Sequence, residues 1–174
     1  MTPREQKLAV VLGIVGVFAI MSATEKGQQV VAKVADSVGA SVRGIRNNNP
    51  GNIRLSGDKW QGMRAEQTDG AFVQFVEMKY GVRAAAKVFR NYGTRYGLHT
   101  ISGLVSRWAP PVENDTGAYV ASVCKRVGVG PDALLNLYDP ETLYKFLRAI
   151  FRHECGAVAE LIPESTIREG IALA

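Results

Sequence analysis

The stretch DPETLYKFLRAIFRHECG, residues 139–156, constrains the fold more than any other part of the chain. Asp139 followed by Pro140 is a helix start, a capping carboxylate and then a proline whose fixed φ and missing N–H suit the first helical position. At about 100° per residue, Leu143, Phe146, Leu147 and Ile150 fall in one sector and make an apolar stripe that must be covered by other elements. Glu154 continues that stripe at its last turn. An ionised carboxylate there loses water and sits at the negative end of the helix dipole, so both effects favour its protonated form. A carboxyl group that holds a proton near neutral pH is what a general acid needs. The plainer alternative is that Glu154 turns out to solvent or pairs with Arg148 or Arg152.

The preceding residues supply the cover. After Gly81, Val82, Ala85, Ala86, Phe89 and Tyr92 recur at helical spacing, and Gly97 is a stop signal. Thr100 caps a second helix that Pro110 and Pro111 must end near Trp108. Asn114 or Asp115 caps a third that runs to about Val127, and residues 163–174 carry a short last helix. Residues 43–75 are dense in Gly, Asn and Asp, with near-alternate apolar residues such as Phe72, Val73 and Phe75, which predicts short strands and turns. Asn49-Pro50-Gly51 is a turn signal. The fold class expected is mainly α, of the α+β kind: a helical domain with a small strand and loop lobe, residues 43–174.

The first 42 residues have another character. Residues 8–24, LAVVLGIVGVFAIMSAT, hold no charge, and as a helix would rise roughly 26 Å, enough to reach across a bilayer. The run is apolar on all faces, and Arg4 and Lys7 flank its start, which places the N-terminus on the cytoplasmic side. Residues 1–24 are therefore expected to be an N-terminal membrane anchor helix. A cleaved signal peptide is the alternative, although Met21-Ser22-Ala23 matches the small-x-small cleavage pattern poorly. Residues 25–42 are expected to be a linker or helical extension.

Composition narrows the partners. A net charge of +5 suits an anionic surface, but no run of five basic residues and no nucleic-acid motif occurs, so no nucleic acid is expected as a partner. Cys124 and Cys155 have no C-x-x-C spacing and no cluster with His99 or His153, which gives no metal site. They are either one disulfide or two buried thiols. His153 falls on another side of its helix from Glu154 and is expected at the surface.

The strings RGIRNNNPGNIR (43–54), Trp60 and Gly62, DGAFVQF (69–75), YGVRAAAKVFRNY (80–92), VSRWAPPVENDTGAYV (105–120) and AIFRHECG (149–156) together resemble a family of phage and prophage muralytic proteins. These are similar to lysozymes and lytic transglycosylases with a permuted chain order, in which the strand lobe precedes the glutamate helix. The resemblance implies a lysozyme-like domain in which Glu154 is the catalytic acid and base. It further implies that Gln74 lines the cleft floor, and that Glu113 and Tyr119 support the sugar or the catalytic group. Cys155 stands where that family has Ser or Asn.

Other readings of these residues stay open. Gln74 also fits the polar face of a strand, and Glu113 fits a helix start. Trp108 is either core or a sugar-stacking platform. Asn49 belongs either to a hydrogen-bonded turn or to a sugar-binding edge.

The function expected is a phage-encoded lytic transglycosylase or muramidase that cleaves the β-1,4 bond between N-acetylmuramic acid and N-acetylglucosamine. It needs no cofactor, and its partners are peptidoglycan glycan strands, a membrane through the N-terminal helix, and other virion proteins. It would lie on the periplasmic side of the host membrane or in the virion. Asp69 or Glu77 could serve as a second carboxylate. The alternative is a noncatalytic virion structural or wall-binding protein that keeps a lysozyme-like fold.

Overall fold

In the computed structural model, residues 42–112 and 115–174 are described. The anchor and linker expected in residues 1–42 lie outside them but for residue 42, as does Glu113. Among the described residues no helix is long and apolar enough to cross a membrane.

The architecture is mainly helical. A short α1 (Arg43–Arg46) is followed by a loop lobe, then by α2 (Met78–Tyr96), α3 (Ile101–Trp108), α4 (Thr116–Val127) and α5 (Pro140–Cys155). A 3-10 turn (Gly156–Leu161) leads into α6 (Glu164–Ala172). The caps are those the sequence announces: the Thr100, Asp115 and Asp139 side chains accept from the N–H of Gly103, Ala118 and Thr142, and Gly97 ends α2 at φ +65°.

Helix α5 lies at the centre. Leu143, Phe146, Leu147 and Ile150 are fully buried, and so are Ala149 and Phe151 on the flanks of the stripe. It touches α1, α2, α4, α6 and the 3-10 turn. Each of its large apolar side chains contributes about 1.5–3 kcal/mol by leaving water. Phe89 of α2 meets Phe146 edge-on at 4.9 Å and stacks on Trp108 of α3 at 4.6 Å, so one aromatic cluster joins three helices.

The loop lobe corrects the expectation of strands. Among the described residues, residues 43–77 pair only through the isolated antiparallel bridges Arg54–Phe72 and Met63–Phe75. Four backbone bonds close these bridges, from the N–H groups of Leu55, Val73, Arg64 and Val76 to the carbonyls of Ala71, Ile53, Gln74 and Gly62, and side chains extend the pairing beyond them. Asn49 donates to the carbonyls of Ile53 and Val73 and accepts from the Ile53 N–H. Asn48, at φ +52°, donates to the carbonyls of Phe75 and Val76. Gln74 accepts from the Thr68 and Asp69 N–H groups and donates to the Asn47 side chain. A segment this rich in short amides satisfies its buried backbone locally and needs no continuous sheet. Gly81 at the start of α2 closes the lobe onto the helices, since a Cβ there would lie 2.0 Å from the Asn48 carbonyl oxygen.

Asp69 is the second anchor of the lobe. Its carboxylate accepts from Arg43, from the Asn47 side chain at 2.7 Å, and from the N–H groups of Ala71 and Phe72. The Arg43 guanidinium first, and Asn47 next, hold its carboxyl well below the usual carboxylate range.

Two outcomes follow for stability. Asn49→Ala leaves buried backbone groups without partners and is expected to cost about 3 kcal/mol, measured by denaturant unfolding followed by circular dichroism. Because the folded-state pKa of Asp69 is depressed, its contribution is complete above about pH 4, where an unpaired aspartate titrates, and fades as pH falls below that. The stability gap between the parent and Asp69→Asn should therefore narrow on acidification, and a gap independent of pH would contradict the pairing.

Candidate active site

Glu154 stands on the last turn of α5 and is half-buried. It neither turns out to solvent nor pairs with a neighbour on its own helix. Arg148 and Arg152 face Glu160 instead, at 3.3 and 3.5 Å. Three neutral donors from three other elements converge on the Glu154 carboxylate. The Trp108 indole N–H and the Tyr119 hydroxyl donate to Oε1, at 3.1 and 2.8 Å, and the Asn52 amide donates to Oε2 at 3.0 Å.

Each donor is held by packing. Trp108 ends α3, where the stack on Phe89 orients its ring, and Gly51 lies flush against it, a Cβ there falling 3.2 Å from the indole. Tyr119, in the first turn of α4, is 2% exposed, and burial together with the Glu154 charge pushes its phenol far up, so it stays a donor at any working pH. His153 is exposed as expected, yet its ring stacks on Tyr119 at 3.5 Å, and partial burial lowers its pKa below the ordinary histidine value. Asn52 adopts the left-handed conformation at φ +49°, which asparagine tolerates better than most residues. Gly44 backs it: a Cβ at that position would lie 2.9 Å from the Asn52 side-chain oxygen and 2.6 Å from the Cys155 sulfur.

Cys155 does not serve the carboxylate. Its buried thiol donates to the Pro50 carbonyl at 3.4 Å, and burial pushes its pKa up to about 12. Both cysteines are free thiols.

The carboxylate opens on a cleft of about 540 Å³ between the loop lobe and the helices. Trp60, Phe72, Tyr92 and Trp108 supply aromatic faces, and Asn52, Arg54, Ser56 and Asp58 supply polar groups. The Trp60 indole nitrogen is buried without a hydrogen-bond partner. Asp58, which accepts from the Ser56 hydroxyl, is the other carboxylate among the described residues lining the cleft.

Of the residues singled out from sequence, Glu154, Trp108 and Tyr119 come together here. Gln74 and Asn49 do not, because their amides are committed to the backbone of the lobe, and Gln74 lines a separate concavity with Asp69. Asp69 is occupied by Arg43, and Glu77 immediately precedes α2 and pairs with Lys79 at 3.3 Å, so neither faces the cleft. Sequence reasoning passed over Asn52, Asp58, Phe72 and Tyr92 as site residues. Asn52 had a partial signal as the asparagine closing the Asn-Pro-Gly turn, but its partner is 102 residues away.

No family model matches the chain. Over 109 residues it is 38% identical to Protein P5 of Pseudoalteromonas phage PM2, an alignment that covers 61% of this chain and 68% of that protein. The chain belongs to the bacteriophage protein family that includes this Protein P5.

Proposed function

We propose that this protein is a phage peptidoglycan-cleaving enzyme with a lysozyme-like, permuted domain, acting on the β-1,4 bond between N-acetylmuramic acid and N-acetylglucosamine. The observation that carries the proposal is the placement of Glu154. A carboxyl group free of any ion pair to a described residue stands at the wall of a cleft whose aromatic faces and amides suit a sugar strand. Glu154 gives its proton to the glycosidic oxygen as the bond to the anomeric carbon breaks. Trp108, Tyr119 and Asn52 hold its oxygens in position before and after that transfer, and Tyr119 remains a neutral donor throughout.

The reaction proposed is that of a lytic transglycosylase, in which the muramyl 6-hydroxyl attacks the anomeric carbon and returns its proton to Glu154. Asp58 is the carboxylate that a hydrolytic course would use instead. The anchor expected in residues 1–24 would tether the domain at a membrane, on the host's periplasmic side or in the virion, and the positive net charge favours adhesion to an anionic wall.

Glu154→Gln should lower clearing of purified peptidoglycan in a zymogram by at least about a hundredfold. No clearing by the parent protein would favour the noncatalytic wall-binding reading. Tyr119→Phe should slow cleavage on the order of tenfold, since it removes one hydrogen bond to a charged group without emptying the core. Mass analysis of the released muropeptides should find anhydro ends. Reducing ends, lost together with activity in Asp58→Asn, would assign a hydrolase.

A further inference from the structure

A second cluster of charge lies away from the cleft. Lys145, Arg148 and Arg152 recur on α5 at intervals of three and four residues and so share a face. Arg126, at the end of α4, reaches the same place, and Glu160 of the 3-10 turn answers the three arginines, while Glu164, which accepts from the Tyr144 hydroxyl at 3.3 Å, lies near enough to act on Arg148. The distances from Glu160 to Arg126, Arg148 and Arg152 are 3.5, 3.3 and 3.5 Å. Charge-assisted hydrogen bonds run about 2.7–2.9 Å, so all three ion pairs to Glu160 are long. Lys145 pairs only distantly, at 3.9 Å, with Glu141.

Like charges at this spacing repel one another, and with Glu164 already bonded to Arg168 at 2.6 Å, Glu160 shared by three arginines leaves positive charge in excess. The side chains surround a concavity of about 220 Å³ lined by Arg126, Tyr144, Lys145, Arg148, Ala149 and Glu160. Arg148 is preset, because its Nη1 donates to the Ile162 carbonyl at 2.6 Å.

We propose that this concavity binds a phosphate group, whose negative charge and unshared oxygens match several guanidinium forks better than one carboxylate does. The site is independent of the cleft and of the cleavage proposed there. Leu161, next in sequence to Glu160 and 48% exposed, would meet the apolar region if the phosphate belongs to a lipid headgroup.

The test is calorimetric titration of the full chain with inorganic phosphate, alongside sedimentation with phosphatidylglycerol and phosphatidylcholine vesicles. The parent should bind phosphate. Arg126→Gln combined with Lys145→Gln, both exposed positions, should weaken it on the order of tenfold. Glu160→Gln, which removes the resident carboxylate, should tighten it. If the source is lipid, the double variant also loses the excess binding to phosphatidylglycerol over phosphatidylcholine, and Leu161→Gln weakens vesicle binding alone. If the source is a soluble phosphate, that excess is the same in parent and variants. Absence of phosphate binding by the parent, or binding that is equal in the parent, the double variant and Glu160→Gln, overturns the proposal.

Discussion

The burial of α5 is the constraint on which the rest depends. Its apolar surface is wider than one stripe, since Ala149 and Phe151 are buried as well as Leu143, Phe146, Leu147 and Ile150. A helix that is apolar over so much of its circumference must be wrapped, and α1, α2, α4, α6 and the 3-10 turn all lie against it. The wrapping delivers the ends of the neighbours, where donors are available, to the last turn of the central helix, where the acid stands. Loss of any one large side chain from this helix would open a cavity costing about 3–5 kcal/mol and would loosen the donors at the same time.

The lobe solves a different problem. It is short, with a high content of glycine and asparagine, and it has little apolar surface with which to stabilise a sheet. Buried amides and one charged hub supplement the few backbone bonds across its two bridges. Asn49, Gln74 and Asp69 are conspicuous in the sequence for that reason, and their polarity is spent within the lobe. A buried polar residue beside a cleft is thus no guide to what touches a substrate: the distinction lies in which backbone groups are left without partners when the loop closes.

The helices were legible from local chemistry. Thr100, Asp115, Asp139-Pro140 and Gly97 mark their ends, and the periodicity of Val82, Ala85, Ala86 and Phe89 marks a buried face. Strands were overcalled in the lobe because near-alternate apolar residues look the same whether a ladder or a set of side-chain amides satisfies the backbone between them. Within the site, Glu154 was legible because an acid at the end of an apolar stripe breaks a pattern, and Trp108 and Tyr119 were reached through the motifs around them. Asn52 and Asp58 break no pattern, since such residues are ordinary in a turn.

The sequence by itself determined the starts of α3, α4 and α5 and the end of α2, which side of α5 is covered, and that an acid closes the covered side, whereas α1 and the first turn of α2 carried no such mark. Those properties depend on neighbours within a few residues, through capping bonds and the helical repeat. The tertiary structure alone decided that Trp108, Tyr119 and Asn52 meet at that acid, that Arg148 and Arg152 turn away to Glu160, and that Gln74 and Asn49 stay inside the lobe. Each of these is a choice of hydrogen-bond partner across a long separation in the chain. Such choices are made by the packing of whole elements, which no local spacing records.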